Sequence, residues 1–234
     1  MNYTFLSGAT SDIGKAIAHS LSKSRTLLLS ARDKKKLEEI ELIPDFPHKI
    51  LPLDLNHIQD IKPSIESFIL GGGGIDTFIH CAGDASFGAI KHFDYTHALA
   101  SFNVNILSCC EIISILLKKS NKNCLKNIIL ISSISTLKGY KGTSIYAAAK
   151  AGLNSLARSL CNELSPKVRI NSICLGPIPT NSNAYLDQNN SDISGFHSGN
   201  CEDVAGLVEF LCSKSSVYIN GQNIVLDGGR SVIG

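Results

Sequence analysis

The chain has 234 residues, a length that suits one α/β domain with a single large hydrophobic core. It carries 22 basic and 20 acidic residues, giving a formal net charge of +2. This near balance provides no electrostatic excess to drive binding to nucleic acid or anionic lipid, so small-molecule partners are favoured.

The eight cysteines contain no C-x-x-C pair, so neither zinc nor another metal is expected. Most of them lie in apolar runs such as residues 170–175, which favours reduced thiols in a reducing, cytoplasmic compartment. The chain opens directly into a strand-like run, and its longest apolar stretches, such as residues 112–117, fall short of the roughly 18 residues that span a bilayer. We therefore expect no signal segment and no membrane insertion.

Short β-rich runs alternate along the chain with longer segments of helical period. Ile13, Ile17 and Leu21 fall on one helical face, as expected for a helix packed on a sheet. The predicted strands cover residues 3–7, 26–30, 49–53, 75–80, 127–132, 168–174 and 223–227. This order predicts a doubly wound α/β fold, a single domain over residues 1–234 with about seven parallel strands and helices on both faces.

The first predicted strand runs into residues 7–14 and then into an amphipathic helix. Small residues in such a turn let the backbone approach a pyrophosphate at the helix N-terminus. A glycine-rich turn alone is weak evidence, but a strand before it and a helix after it favour dinucleotide binding.

This turn resembles the T-G-x-x-x-G-x-G signature of the short-chain dehydrogenase/reductase family, with Asp12 in the place of the middle glycine. We expect the Asp12 carboxylate to cap the helix, because it would repel a pyrophosphate. The resemblance implies a Rossmann fold and a nicotinamide cofactor. The implied cofactor contacts in this turn are Ser7, Gly8, Ser11, Ile13 and Gly14.

In this family the residues after the second strand face the adenosine ribose, and Ala31 stands where NAD-preferring relatives carry an acid. Arg32 beside it suits a 2′-phosphate, which favours NADP(H) over NAD(H); the alternative is that Arg32 pairs with Asp33 or a neighbouring acid in solvent.

Asp54 and Leu55 follow the third strand, where the resemblance places the adenine. The stretch at residues 80–83 is similar to the family's N-N-A-G and keeps Ala82 and Gly83 as cofactor contacts. We expect His80 to be a structural histidine.

Tyr146 and Lys150 stand four residues apart at the start of a predicted helix, so their side chains share one face. An ammonium and an oxidised nicotinamide nearby would bring the tyrosine pKa from about 10 toward working pH. Ser133 lies thirteen positions before Tyr146, as the family's serine does, with Ser132 as its nearest competitor.

The resemblance thus implies Ser133, Tyr146 and Lys150 as the catalytic set, with Tyr146 and Lys150 also contacting the cofactor. Asn105 matches the family's helical asparagine, which helps hold a water that joins the lysine to solvent; Asn103 is the weaker candidate.

The loop after the sixth strand is similar to the one that meets the nicotinamide carboxamide in the family, with Pro177, Ile178 and Thr180 as contacts and Leu175 in place of the usual proline. Residues 179–200 are polar and weakly periodic, and we interpret them as a substrate lid; the alternative is a disordered surface insertion.

The favoured function is NADPH-dependent reduction of a ketone, or the reverse, most similar to that of a β-ketoacyl-thioester reductase and with a substrate that a carrier protein may hold. A sugar, polyketide or steroid-like carbonyl is the alternative substrate. A cofactor-binding regulator is the alternative from another class. The resemblance also implies a homotetramer or homodimer built through the helices near residues 98–118 and 144–163 and the terminal strand.

Overall fold

Seven parallel strands form one sheet in the order β3-β2-β1-β4-β5-β6-β7. The computed structural model describes residues 1–42, 46–85, 87–180 and 198–232. The strands are β1 Asn2–Ser7, β2 Leu27–Ala31, β3 His48–Pro52, β4 Gly74–His80, β5 Asn127–Ser133, β6 Arg169–Leu175 and β7 Asn223–Leu226. All seven predicted strands are confirmed, each within one residue at either end.

Helices cover both faces of this sheet. They are α1 Asp12–Leu21, α2 Lys34–Glu38, α3 Ile58–Leu70, α4 Tyr95–Phe102, α5 Ser108–Leu116, α6 Ser144–Leu164 and α7 Cys201–Cys212. Side chains alternate along each strand, so neighbours such as Phe5 and Leu6 enter opposite cores. One core packs β-strand residues against α3, α5 and α6, and the other packs them against α1, α2 and α7. The predicted doubly wound Rossmann-type fold is confirmed.

The strand order reverses between β1 and β4. The chain runs outward from β1 to β3 and then crosses back to place β4 on the other side of β1. Loops that leave the carboxyl ends of these two strands diverge, which opens a crevice at that edge of the sheet. Ser7 and His80, the last residues of β1 and β4, pair at this point.

Residues 95–116 form one helical rod in which a π-helical turn, Asn103–Leu107, joins α4 to α5. An 18-residue window of the rod has a mean hydropathy of 1.7, so the rod is long and apolar enough to cross a bilayer. The expectation that no stretch reaches that length is therefore wrong. The rod is a core helix of this fold, because α5 packs Cys109, Ile112 and Leu116 against α3 and the sheet.

Two further sequence predictions concern the cysteines and the lid. All eight cysteines carry free thiols. Within the ranges that the structure describes, no group of three or more His, Cys, Asp or Glu residues is placed to hold a metal ion. Most of the predicted lid, residues 181–197, lies outside the described residues.

Candidate active site

The β1–α1 turn is built for close approach of two backbone segments. Gly8 has a φ of +72°, and a Cβ added there would lie 2.6 Å from the backbone nitrogen of Ala82. A Cβ on Gly14 would overlap the carbonyl oxygen of Gly8. Both positions therefore exclude a side chain, and the turn after β1 packs directly on the segment after β4. The exposed amides of such a turn suit a pyrophosphate.

The cap of α1 differs from the prediction. The Ser11 hydroxyl accepts a hydrogen bond from the Gly14 amide at 3.0 Å and donates one to the Gly8 carbonyl at 2.8 Å. Ser11 has the extended backbone of a capping residue, whereas Asp12 is already the first helical residue. The prediction that Asp12 caps the helix is therefore wrong. Its carboxylate lies in the first turn, where the helix dipole favours negative charge.

His80 links the ends of β1 and β4 beneath the crevice. Its Nε2 lies 3.2 Å from the Asn105 carbonyl oxygen, so Nε2 carries the proton. Its Nδ1 then accepts from the Ser7 hydroxyl at 3.0 Å, and Ser7 Oγ accepts in turn from the Ala82 amide at 3.4 Å. Burial, together with the charge of Lys150, lowers the pKa of His80 to about 3. His80 is thus a neutral structural histidine.

The same bonds revise the interpretation of Ser7. Its side chain has no exposed surface, and its hydroxyl is shared between His80 and Ala82. A contact between Ser7 and a cofactor would therefore involve its backbone, and the predicted contact stays a prediction. The Ser7 side chain fixes the backbone of the segment after β4.

The ends of β2 and β3 supply the predicted adenosine contacts. Arg32 is exposed directly after Ala31, and the ion pairs among the described residues do not include it. The Asp33 carboxylate caps α2 by accepting from the Lys35 and Lys36 amides at 3.0 and 3.2 Å. The alternative in which Arg32 pairs with Asp33 is therefore not observed.

Asp54 and Leu55 follow β3 in a tight turn. The Asp54 carboxylate accepts from the Asn56 amide at 3.0 Å and keeps about a third of its side chain exposed at the crevice edge (34%). Leu55 is buried in the core, with 5% of its surface exposed. Of the two, only Asp54 presents side-chain polar atoms for recognition.

Lys150 is buried in α6 and takes part in none of the ion pairs that the described residues form. Its Nζ donates to the carbonyl oxygen of Ile131 in β5 at 2.9 Å and lies 5.8 Å from the centre of the Tyr146 ring. Burial lowers the pKa of Lys150 to about 8. The lysine is therefore a cation whose charge is lost within the ordinary working range of pH.

Tyr146 lies one helical turn before Lys150, on the same face of α6. Burial raises the pKa of Tyr146, and a hydrogen bond with Ser133 partly offsets this rise. In the chain by itself, loss of water around the phenol outweighs its polar neighbours, and a lower pKa beside an oxidised nicotinamide stays a prediction. The ring of Phe87 packs edge-on against Tyr146, with 5.4 Å between ring centres.

The two adjacent serines at the end of β5 point to different neighbours. Ser132 is buried and donates to the backbone carbonyl of Lys150 at 3.2 Å, which anchors α6 on the sheet. Ser133 is the serine whose hydroxyl meets Tyr146. Strand alternation separates their roles, and the geometry favours Ser133 over Ser132 for contact with a substrate oxygen.

Asn105 lies in the π-helical turn and is fully buried. Its side-chain nitrogen donates to the carbonyl oxygens of Asp84 and Ser101, each at 2.9 Å, whereas its Oδ1 has no hydrogen-bond partner among the described residues. A Cβ on Gly83 would lie 3.1 Å from both Asn105 Oδ1 and Lys150 Nζ. The amide oxygen and the ammonium thus converge on Gly83, where a side chain would have to displace one of them by a few tenths of an ångström.

Asn103 has a different role. Its side-chain nitrogen donates to the carbonyl and side-chain oxygens of Asn56, at 3.2 and 3.1 Å. It ties the helical rod to the loop after β3 and does not join the Tyr146 cluster.

The loop after β6 also borders the site, beside the segments that follow β1, β4 and β5. The Gly176 amide donates to the Leu226 carbonyl at 2.9 Å, which anchors the loop on β7. Ile178 is buried in the core, and Pro177 and Thr180 are partly buried beside it. Any polar contact from Ile178 must therefore come from its backbone, as the sequence predicts.

Sequence reasoning missed two residues of this cluster. Ser135 donates from both its amide and its hydroxyl to Ser133, and Phe87 packs on Tyr146. A serine two positions after the predicted catalytic serine was a detectable signal, since such residues form side-chain-capped turns. Nothing in the sequence brings Phe87 near Tyr146, because that contact depends on how the segment after β4 folds.

Two cavities lie near these residues. A cavity of about 190 Å³ adjoins Tyr146 and is lined by Phe87, Ile90, Phe93, His97 and Ile145 among others. A larger cavity of about 750 Å³ lies between α1 and α7 and is lined by acids such as Asp12 and Glu202. Neither cavity is lined by Ser133, Tyr146 or Lys150, but the smaller one is lined by Phe87, which packs on Tyr146, so we assign the chemistry to that side.

Comparisons with known proteins agree with this geometry. A family model described as enoyl-(acyl carrier protein) reductase matches residues 8–231. The chain is 28% identical to a 3-oxoacyl-(acyl-carrier-protein) reductase of Aquifex aeolicus, over 97% of this chain and 96% of that protein. It is 29% identical to the enzyme of the same name from Thermotoga maritima, over 96% of this chain and 95% of that protein.

Among solved structures, one similar chain is a 4-hydroxyisoleucine dehydrogenase complexed with NADH and succinate. It shares 25% sequence identity with this chain, covers 98% of this chain and 100% of its own, and superposes with a TM-score of 0.88. The similarity thus extends over the whole sheet and the site at its carboxyl edge.

Proposed function

The chain belongs to the short-chain dehydrogenase/reductase family and is an NAD(P)-dependent oxidoreductase of carbonyl or alcohol compounds, and on that premise we propose that it reduces a β-ketoacyl thioester with NADPH. The observation that carries this proposal is the cluster of Tyr146, Ser133 and Lys150 at the carboxyl ends of the sheet. The hydroxyls of Tyr146 and Ser133 can both donate to one substrate oxygen atom, which suits a carbonyl.

The residues present fit a nicotinamide dinucleotide. The Gly8 backbone and the N-terminus of α1 form a cradle that a Cβ would fill, and the partnerless Oδ1 of Asn105 lies beside Lys150. Ser11, Ile13 and Gly14 would hold the pyrophosphate, and Pro177 and Thr180 would border the nicotinamide. When bound, the reduced cofactor supplies the hydride to the carbonyl carbon.

The chain's own residues supply the proton and stabilise the oxygen. Ser133 donates a hydrogen bond to the carbonyl oxygen, and Tyr146 transfers its phenolic proton to that oxygen as negative charge develops there. The carbonyl therefore gains one hydride on carbon and one proton on oxygen and becomes a secondary alcohol. Because burial keeps the Tyr146 phenol protonated in the chain by itself, the tyrosine is prepared to act as an acid.

Lys150 and Asn105 support the return of the proton. One hydrogen of the Lys150 ammonium is bound to Ile131, which leaves two for the phenolate oxygen and for the space beside Gly83. The pKa of about 8 lets Lys150 pass a proton toward Tyr146 near neutral pH. We propose that a water held by Asn105 Oδ1 reloads the lysine.

The proposed substrate class draws on the relatives, which are named as 3-oxoacyl reductases. The cavity lined by Phe87 offers about 190 Å³ and combines apolar side chains such as Phe87 and Phe93 with polar ones such as His92, Asp94 and His97, which suits a chain that carries polar groups, as a β-ketoacyl thioester does. Sugar, polyketide and steroid-like carbonyls remain the alternative substrates. Lys138 and Lys141, near the start of α6, are the candidate contacts for a carrier-linked phosphate.

The decisive experiment compares wild type, Tyr146→Phe and Tyr140→Phe on a panel of β-ketoacyl thioesters, enoyl thioesters, diketones and keto sugars. We expect oxidation of NADPH on the ketoacyl thioesters, reduced by about a hundredfold or more in Tyr146→Phe. Tyr140 is a matched control, because its ring is 40% exposed and it lies outside the cluster. Turnover that survives in Tyr146→Phe, or that occurs only with enoyl thioesters, would contradict the proposal.

We also propose that the chain assembles as a homodimer or homotetramer through the helical rod and α6. The outer face of the rod supports this, since Tyr95, Leu99 and Leu107 are 69%, 41% and 43% exposed. Exposed apolar side chains along one helix are typical of surfaces between protein chains.

A further inference from the structure

The hydroxyl of Ser133 has an unusual set of neighbours. A serine hydroxyl has one hydrogen to donate and two lone pairs that accept. The amide nitrogen of Ser135 donates to Ser133 Oγ at 3.1 Å, and the hydroxyl of Ser135 donates to the same atom at 3.0 Å. Both acceptor sites of Ser133 are therefore filled from one side, by one residue.

The remaining capacity of Ser133 is its own hydrogen, which is directed toward the Tyr146 oxygen. We propose that Ser135 is a positioning residue, which holds the Ser133 hydroxyl in the rotamer that donates its single hydrogen to Tyr146 in the free chain and to the substrate oxygen when a substrate is bound. This inference rests on the proposed function, because it assigns Ser135 a role only if Ser133 and Tyr146 carry out the reaction.

A Ser133 hydroxyl fixed as a hydrogen-bond donor favours ionisation of Tyr146. A freely rotating hydroxyl can present either its hydrogen or a lone pair to Tyr146, and a lone pair would stabilise the neutral phenol and repel the phenolate. With both lone pairs occupied, only the hydrogen faces the tyrosine. The negative oxygen that forms during proton transfer then meets a donor that needs no reorientation.

The turn that carries Ser135 does not depend on its hydroxyl. Residues Ile134–Thr136 form a 3-10 turn whose own bonds include Thr136 Oγ1 to the Ser133 carbonyl at 2.8 Å. Asn154 donates to Thr136 Oγ1 at 2.9 Å and fixes this turn on α6. Ser135 is 9% exposed, and the hydrogen bond from its backbone amide to Ser133 Oγ does not require its side chain, so an alanine variant keeps it. Ser135→Ala thus removes one donor and little else.

The test measures the ionisation of Tyr146 directly, in protein that carries ¹³C at the ζ carbon of tyrosine. The chain has six tyrosines, and the Tyr146 signal is the one absent from Tyr146→Phe. Wild type, Ser135→Ala and Ser135→Thr are titrated. Thr136→Val is the matched control, because the Thr136 hydroxyl bonds to the Ser133 carbonyl oxygen and not to the Ser133 hydroxyl. Circular dichroism confirms that each variant is folded.

We expect the pKa of Tyr146 to be higher in Ser135→Ala than in wild type and to return in Ser135→Thr, which restores the hydroxyl. In steady-state alcohol oxidation, the acid limb of the kcat profile should move to higher pH, with kcat at neutral pH lower by about three- to tenfold and KM for the cofactor unchanged. Thr136→Val should lower stability without moving the Tyr146 titration.

Two results would overturn the inference about Ser135. The first is a Tyr146 titration and pH profile that are the same in Ser135→Ala as in wild type. The second is an equal shift in Thr136→Val, which would indicate general loosening of the turn. Failure of the proposed function gives a different result, because turnover would then survive in Tyr146→Phe whatever Ser135 does.

Discussion

Single residues in this site owe their properties to burial as much as to their chemical type. The spacing of Tyr146 and Lys150 could be predicted from the sequence, because a four-residue separation on a helix is a local property. The direction of the Tyr146 pKa could not, since it depends on how much water the folded chain removes from the phenol. The burial of the Ser7 side chain could not be predicted either, because it follows from the pairing of β1 with β4.

His80 gives a prediction about stability in acid. Its pKa is 6.5 in the unfolded chain and about 3 in the folded one, so only the unfolded chain binds the proton as pH falls between these values. The stabilisation is present above the unfolded pKa and is lost toward pH 3, at about 1.4 kcal/mol per pH unit within the window.

Urea unfolding at neutral pH and at about pH 5 tests this, with His80→Asn as the reference protein. Wild type should lose more unfolding free energy on acidification than His80→Asn does. Equal losses in both proteins would mean that His80 is protonated in the folded chain.

Arg32 gives a prediction about cofactor choice. A guanidinium that binds a 2′-phosphate contributes charge-assisted hydrogen bonds, so Arg32→Ala should weaken NADPH binding by about ten- to a hundredfold and leave NADH binding nearly unchanged. Lys34→Ala is the matched control, because Lys34 is an exposed cation two residues away that pairs with Glu38 at 3.6 Å. Calorimetric titration with both cofactors measures the effect. A wild-type preference for NADH would contradict the assignment.

At the scale of elements, the strands were the most predictable part of the fold. Their apolar runs are bounded by turn residues, and every predicted strand is present within one residue. The ends of helices were harder to predict from the sequence, as the cap of α1 illustrates. Ser11 and Asp12 are both good capping types, and only the backbone conformation at Ser11 decides between them.

The β1–α1 turn gives a prediction at this scale. Gly8→Ala should destabilise the chain and abolish measurable cofactor binding, because φ is +72° and the new methyl group would meet the Ala82 backbone at 2.6 Å. Gly206→Ala is the matched control, since no atom lies within 4 Å of a Cβ at this position in α7. It should raise the unfolding free energy by up to about 1 kcal/mol. Thermal unfolding with and without cofactor measures both effects, and cofactor binding by Gly8→Ala at the wild-type level would refute the structural argument.

At the scale of the whole molecule, fold class followed from the alternation of strands and helices, whereas the argument from apolar length failed. Residues 95–116 mix alanine, serine and asparagine with larger apolar side chains, so no short window revealed a 22-residue apolar helix. Of the most apolar 18-residue window of that rod, 44% is buried, which leaves an apolar face without a partner from the described chain.

Assembly is the prediction that belongs here. The double variant Tyr95→Lys, Leu99→Glu places charge on the exposed face of α4, so a wild-type dimer or tetramer should separate into smaller species in sedimentation velocity runs. Leu70→Glu is the matched control, because Leu70 is 82% exposed at the end of α3, away from that face. A wild-type monomer, or a double variant of unchanged mass, would contradict the proposed interface.

The π-helical turn accommodates one extra residue in the rod. The Ser108 amide bonds to Asn103, five residues back, so the turn holds one residue more than a regular helix would. The wide turn absorbs that extra residue within one revolution, so α4 and α5 continue along one rod while Leu99 faces outward and Ile112 enters the core. A chain shortened by one residue here, for example at Val104, could form a regular helix without turning α4 relative to α5, and it would lose the wide turn that holds the Asn105 amide beside Gly83. Among homologous chains, a single-residue difference in length at this turn would therefore separate those that keep the Asn105 amide in the site from those that cannot.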